Sequence, residues 1–128
     1  MNIPRSLEQE RAKFAYEKVK SVKGKEFEED YARYVKNAPA LILTNGLGST
    51  LAFYRSKKKK AYDTLYDHLN EWLRKRRFYD DNTDVLEWIM KTDSLQVFNA
   101  TQEVLSLLNW MKKFAKAMLK GDEGEESR

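Results

Sequence analysis

LILTNGLGSTLAFYRSKKKK, residues 41–60, joins an apolar run to two glycines, an aromatic pair, Arg55 and four consecutive lysines. Two folds compete for it. A strand followed by a phosphate-cradling glycine loop would make an α/β nucleotide-binding protein, whereas a helix with a bare side would make a helical packing module. A dinucleotide fingerprint needs a third glycine where Leu51 stands, and no Gly-Lys-Ser/Thr follows for a Walker-type lysine. The flanking sequence also offers no strand, because its apolar residues recur at three and four rather than at two.

Helical signals continue in both directions. Ser6 and Gln9 form a capping box ahead of a helix bearing Leu7, Phe14, Ala15, Val19 and Val22, which ends at Gly24. A second helix carries Phe27, Tyr31, Tyr34 and Val35 and should stop before Pro39. A third should start near Pro39 and run through the glycines. It would place Leu43, Leu47, Leu51 and Tyr54 on one side and Thr44, Gly48, Ala52 and Ser56 in an i, i+4 row. With Gly46 beside it, this row of small residues predicts a close helix–helix contact, within the subunit or between subunits, since a helical glycine otherwise costs up to ~1 kcal/mol relative to alanine. Residues 59–77 repeat the pattern with Tyr62, Leu65, Tyr66, Leu69, Trp72 and Leu73. A short helix with Val85, Leu86 and Ile89 follows the DDNT turn. A long last helix opens at Asp93 or Ser94 and runs near Lys120, with Phe98, Val104, Leu105, Leu108, Met111, Ala115 and Met118. The expected fold class is all-α: a compact single-domain bundle of five or six helices over residues 1–120, with an acidic disordered tail over 121–128.

Composition and charge set the chemistry. The chain of 128 residues has no cysteine and one histidine, which removes disulfides, thiolate zinc sites and any His/Cys metal cluster within one chain. No metal, cofactor or catalytic residue is expected. His68 sits at the edge of an apolar helix face, which suits a packing or surface role. In DDNTD, Asp80, Asn82 and Asp84 match the first three calcium-loop positions, yet Val85 replaces the required glycine and Lys91 the bidentate glutamate, leaving a turn and helix cap. Glu26, Glu28, Glu29 and Asp30 read as a solvated first turn that the helix dipole favours. The uncharged run from Asn37 to Tyr54 holds a proline, asparagines, threonines, a serine and two glycines, so a membrane span is not expected, and a cytoplasmic location is.

The first 120 residues hold 23 basic against 16 acidic side chains, and Arg55 to Arg77 alone holds nine basic against three acidic. Arg55, Lys57, Lys58, Lys59 and Lys60 precede one helix, and Arg74, Lys75, Arg76 and Arg77 end it. A helix C-terminus favours cations in any case. Clusters at both ends point further, to a polyanion partner read through its phosphates.

PALILTNGLGSTLAFYRSK, the helix ending in a tryptophan-leucine pair, and the late LNWMKKFAKAM helix together resemble the small subunit of the type III-B (Cmr) CRISPR effector complex. The similarity spans nearly the whole chain, from the RAKFAYEKV helix at Arg11–Val19 to LLNWMKKFAKA at Leu107–Ala117, and NGL with LAFY and the following lysines is its specific part. The resemblance implies a helical protein without a catalytic site, present in several copies that stack beside the crRNA-holding backbone subunits. Its partners would be other subunits of that complex, copies of itself, crRNA and target RNA. Two other readings fit the charge pattern: a helix-turn-helix regulator of duplex DNA, and an adaptor whose basic clusters meet an acidic protein surface.

Overall fold

The apolar stripes read from the sequence close onto one core, Leu43 and Phe98 excepted. The computed structural model describes residues 3–121, and the expected acidic tail from position 122 onward lies outside them. The described residues form six helices and no strand: α1 (Leu7–Val22), α2 (Glu28–Asn45), α3 (Leu47–Lys57), α4 (Lys60–Lys75), α5 (Val85–Lys91) and α6 (Ser94–Met118). Local chemistry starts them. Ser6 and Gln9 exchange both capping-box bonds at α1, and the Asp84 and Asp93 carboxylates accept from Leu86 N and Gln96 N at α5 and α6.

The α1 and α6 helices lie side by side and run the same way. Trp110 Nε1 donates to Glu8 at 2.7 Å, the Tyr16 and Phe114 rings meet edge-on at 5.5 Å, and Lys23 Nζ reaches the Met118 carbonyl. The α2 and α4 helices pack antiparallel, with Tyr31 against His68 and Tyr34 stacked on Tyr62. Trp72 lies fully buried in the centre, its ring 4.9 Å from that of Phe14. No helix among the described residues is long and apolar enough to cross a membrane.

Two expected boundaries are wrong. The α2 helix does not stop before Pro39 but runs through it to Asn45, and the next helix does not start near that proline. A mid-helix proline removes one backbone bond and costs ~3 kcal/mol. The cost is offset because Tyr31, Val35, Ala38 and Ile42, on both sides of the proline, are buried together. Each large apolar side chain so buried contributes ~2 kcal/mol.

The break falls instead at Gly46, whose φ of 91° and ψ of 158° lie where only glycine rests without strain. This splits the predicted small-residue row. Thr44 is on α2, and Gly48, Ala52 and Ser56 are on α3. Within the row, Gly48 is the glycine that approaches another helix closely: a Cβ there would lie 3.3 Å from Ile89 Cγ2 of α5. Thr44, Ala52 and Ser56 are exposed, as is Leu43, which was expected beside the buried Leu47, Leu51 and Tyr54. Phe98, expected on the apolar face of the last helix, is also exposed.

Buried polar groups tie the bundle together. Glu28, expected in a solvated first turn, is buried and accepts from the backbone N–H groups of Gly24 and Lys120, which pins the exit of α6 to the start of α2. The bond from Lys120 is the main reason its pKa lies below the ordinary carboxylate value, working against partial desolvation.

His68 takes the packing role. Its Nδ1 lies 2.7 Å from the Tyr31 hydroxyl, which burial keeps protonated and able to donate, and burial with the nearby Lys18 charge lowers the imidazole pKa to about 4. The unfolded chain binds this proton below pH 6.5, but the folded chain refuses it until about pH 4. Stability therefore falls as pH drops through that window. We expect a loss of about 2 kcal/mol between pH 8 and pH 5 attributable to His68, visible in urea melts and absent in His68→Gln. A pH slope identical in the two proteins would contradict the buried neutral imidazole.

Candidate nucleic-acid interface

The lysine run forms the corner between α3 and α4. Lys57 ends α3, Lys58 turns the chain with a left-handed φ of 53°, Lys59 caps α4 in an extended conformation, and Lys60 is its first residue. A non-glycine residue in the left-handed region costs ~1 kcal/mol, and cations at the start of a helix oppose its dipole. These two effects oppose the corner, whereas Lys57 in the last turn of α3 suits that helix's dipole. All four lysines are exposed, and no salt bridge engages them among the described residues. Lys57 Nζ sits 5.5 Å from the centre of the Phe53 ring.

Arg55 is not part of this free charge. Its guanidinium lies 3.7 Å over the Tyr66 ring and donates to Asp63 and Asp67 at 2.9 and 3.3 Å, stapling α3 to α4. The other predicted cluster is likewise divided. Arg74 donates twice to the Thr83 carbonyl, fixing the loop before α5. Arg76 points its buried Nε toward Glu103 at 3.9 Å. Only Lys75 and Arg77 remain exposed there. Arg77 itself adopts a left-handed φ of 67° where the chain leaves the helix. The clusters sit at opposite ends of α4, whose 16 residues span ~24 Å. Of the nine basic residues expected to form one surface, Lys57–Lys60 stand together outside any salt bridge among the described residues, while Arg55, Arg74 and Arg76 also have partners within the subunit.

The residue that organises the far cluster was not legible in the sequence. Glu103, on α6, is buried and accepts from Arg11 Nε and Nη2 at 2.8 and 2.9 Å and from Trp72 Nε1 at 3.0 Å. Burial opposes its ionisation, but the bonds from Arg11 and Trp72 and the charges of Arg11 and Arg76 outweigh this and keep its pKa below the ordinary value. Its partners lie 92 and 31 positions away. The only local signal is an acid at a position facing the apolar stripe of α6. The DDNTD segment works as a turn and cap: Asp80 accepts from Asn82 N and Thr83 Oγ1, and Asp84 caps α5 and accepts from Tyr66 and Asn70.

The all-helical bundle is a fold shared with known proteins. The family model described as CRISPR-associated protein (Cas_Cmr5) matches residues 7–118. The chain belongs to the CRISPR-associated Cmr5 family. It is 32% identical over 108 residues to the CRISPR system Cmr subunit Cmr5 of Thermus thermophilus, an alignment covering 84% of this chain and 91% of that protein. It is 30% identical over 124 residues to the Cmr subunit Cmr5 of Thermotoga maritima, covering 94% of this chain and 91% of that one. A crystal structure of a CRISPR-associated Cmr5 family protein from Thermus thermophilus superposes with a TM-score of 0.79 at 32% identity, covering 91% of this chain and all of that one. The resemblance to the type III-B small subunit drawn from the NGL and LAFY segments holds. The Cmr5 match includes all six helices, so the lysine corner and the Glu103 hub both lie within the family's extent.

Proposed function

We propose that this chain is a non-catalytic small subunit of the type III-B Cmr effector complex, stacking in several copies along the crRNA-holding backbone and touching guide or target RNA through Lys57–Lys60. The observation that carries the RNA contact is the division of the basic residues. Arg55 and Arg74 hydrogen-bond to groups of the same subunit and Arg76 lies 3.9 Å from Glu103, while the four lysines at one corner have no anionic partner among the described residues. Family membership supports assembly with other Cmr components, and the exposed Thr44, Ala52 and Ser56 remain available for contact between copies. A non-catalytic role agrees with the lack of cysteine and with a single histidine that is buried against Tyr31. The complex would act in the cytoplasm, where its RNA substrates are.

Lysines act as point charges without a fixed donor fork, so binding at this corner is indifferent to base sequence and sensitive to salt. Replacing Lys57–Lys60 together with glutamine should reduce the slope of log affinity against log salt by up to ~0.7 for each phosphate no longer engaged on a single strand, equally for unrelated sequences. The measurement is fluorescence anisotropy of single-stranded RNA across a several-fold range of salt, on the reconstituted complex and on the isolated chain. An unchanged slope with impaired assembly would make the corner a protein interface and favour the adaptor reading.

A further inference from the structure

Helical spacing makes both rings of the aromatic pair, Phe53 and Tyr54, candidates for the core, with stacking on a base the other use of such rings, and the fold separates them. Tyr54 is fully buried, whereas Phe53 is 41% exposed. Phe53 lies one helical turn before Lys57, whose Nζ sits over its ring 5.5 Å from the centre, and the ring packs against its aromatic neighbours. The Tyr62 ring meets it edge-on at 5.6 Å and an interplanar angle of 78°. Tyr62 is in turn stacked on Tyr34 at 3.7 Å and on Tyr54 at 5.2 Å. A partly exposed aromatic ring held on a packed cluster loses little further freedom when a flat partner covers it, and the flexible Lys57 side chain over it can swing aside to a phosphate.

We infer that Phe53 is a stacking platform for one unpaired nucleobase of a single-stranded RNA whose phosphates lie on Lys57–Lys60. The inference rests on the RNA reading of the lysine corner and adds the form in which the strand is held. Charge complementarity selects the occupant: four exposed cations beside an exposed ring suit a ligand with alternating anions and flat apolar faces, the make-up of a single strand. A duplex offers the phosphates but keeps its bases stacked on each other, and an acidic protein surface offers charge without the flat face. The exposed Leu43, Met90, Leu95 and Phe98 lie outside the lysine corner, and nothing in the structure shows what covers them.

The test uses the full chain, alone and in the reconstituted complex, with a short uridine oligomer and the same oligomer carrying internal abasic residues. Phe53→Leu keeps an apolar side chain and removes the flat face. Its affinity for the uridine oligomer should fall roughly 5- to 150-fold, the range for removing one stacked base, with the salt slope unchanged. Phe53→Trp should restore affinity and show indole fluorescence quenching on RNA addition. The abasic oligomer should bind the native chain about as weakly as the uridine oligomer binds Phe53→Leu. Far-UV circular dichroism and the melting temperature confirm that each variant folds. If Phe53→Leu and abasic RNA leave affinity unchanged while the lysine variant loses salt slope, stacking is wrong and the phosphate contact stands. If Phe53→Leu impairs subunit assembly and not RNA affinity, the ring is a protein contact and the proposal fails. If none of the changes alters RNA binding, or the native protein binds no RNA, both readings fall.

Discussion

Glu103→Ala is expected to destabilise the bundle by about 3–5 kcal/mol, the cost of breaking a buried ion pair from one side. The carboxylate is the common acceptor for the Arg11 guanidinium from α1 and the Trp72 indole N–H from α4, and the Arg76 charge lies 3.9 Å away. Removing it leaves the Arg11 side chain, only 15% exposed, and a buried indole N–H without their acceptor. Glu103→Gln keeps an acceptor oxygen in place and should cost about half as much, mainly through removal of the charge. Pairing Arg11→Met with Glu103→Leu should recover part of the stability, because apolar groups of similar shape carry no desolvation penalty. Urea denaturation with an unchanged m-value measures all three. A change under about 1 kcal/mol for Glu103→Ala would mean that the hub is solvated and contributes no more than a surface pair.

Gly46→Ala should cost about 2–3 kcal/mol, although the new methyl would meet nothing within 4 Å. The penalty is wholly in the backbone. A φ of 91° with ψ of 158° is a region that residues with a Cβ enter only under strain. The geometry cannot relax cheaply, because Gly46 closes one helix and opens the next: its N–H donates to Ile42 O at 2.8 Å, and its carbonyl accepts from Thr50 N and Thr50 Oγ1. Gly48→Ala is the matched comparison. It gains ~1 kcal/mol of helix propensity and meets Ile89 Cγ2 at 3.3 Å, so the two effects nearly cancel and the net change stays within about 1 kcal/mol of zero. Thermal melts of the two variants side by side decide the matter. Equal destabilisation would place the strain elsewhere than at Gly46.

The contrast between these glycines shows where local rules stop. Both glycines lie in a stretch whose pattern reads as one helix, Gly48 within the row of small residues and Gly46 outside it, and the sequence holds nothing that distinguishes a helix break from a packing groove. The break is set by where Leu47, Leu51 and Tyr54 must go to reach the core. Once α3 turns to bury them, the connection needs a backbone that only glycine adopts without strain, and Gly46 supplies it. Pro39 is the same case in reverse. Its local preference ends a helix, but burial of the residues before and after it keeps α2 continuous.

Periodicity, capping and chain neighbourhood act over a few residues, so the all-helical class, the caps at Ser6, Asp84 and Asp93, the turn at DDNT and the gathering of four lysines were legible in the amino-acid order. Which charges stay free was not, and helix packing settled it. Arg55 has its acids 8 and 12 positions away, Arg74 its carbonyl 9 away, and Arg11 its carboxylate 92 away. A partner at such separation is brought near when helices dock, and docking is driven by non-directional burial of apolar surface, which carries the polar side chains along to wherever the helices settle. The same burial hides Tyr54 and leaves its neighbour Phe53 partly exposed beside the lysines, since adjacent residues on a helix point about 100° apart and the side of α3 that meets the core carries Leu47, Leu51 and Tyr54.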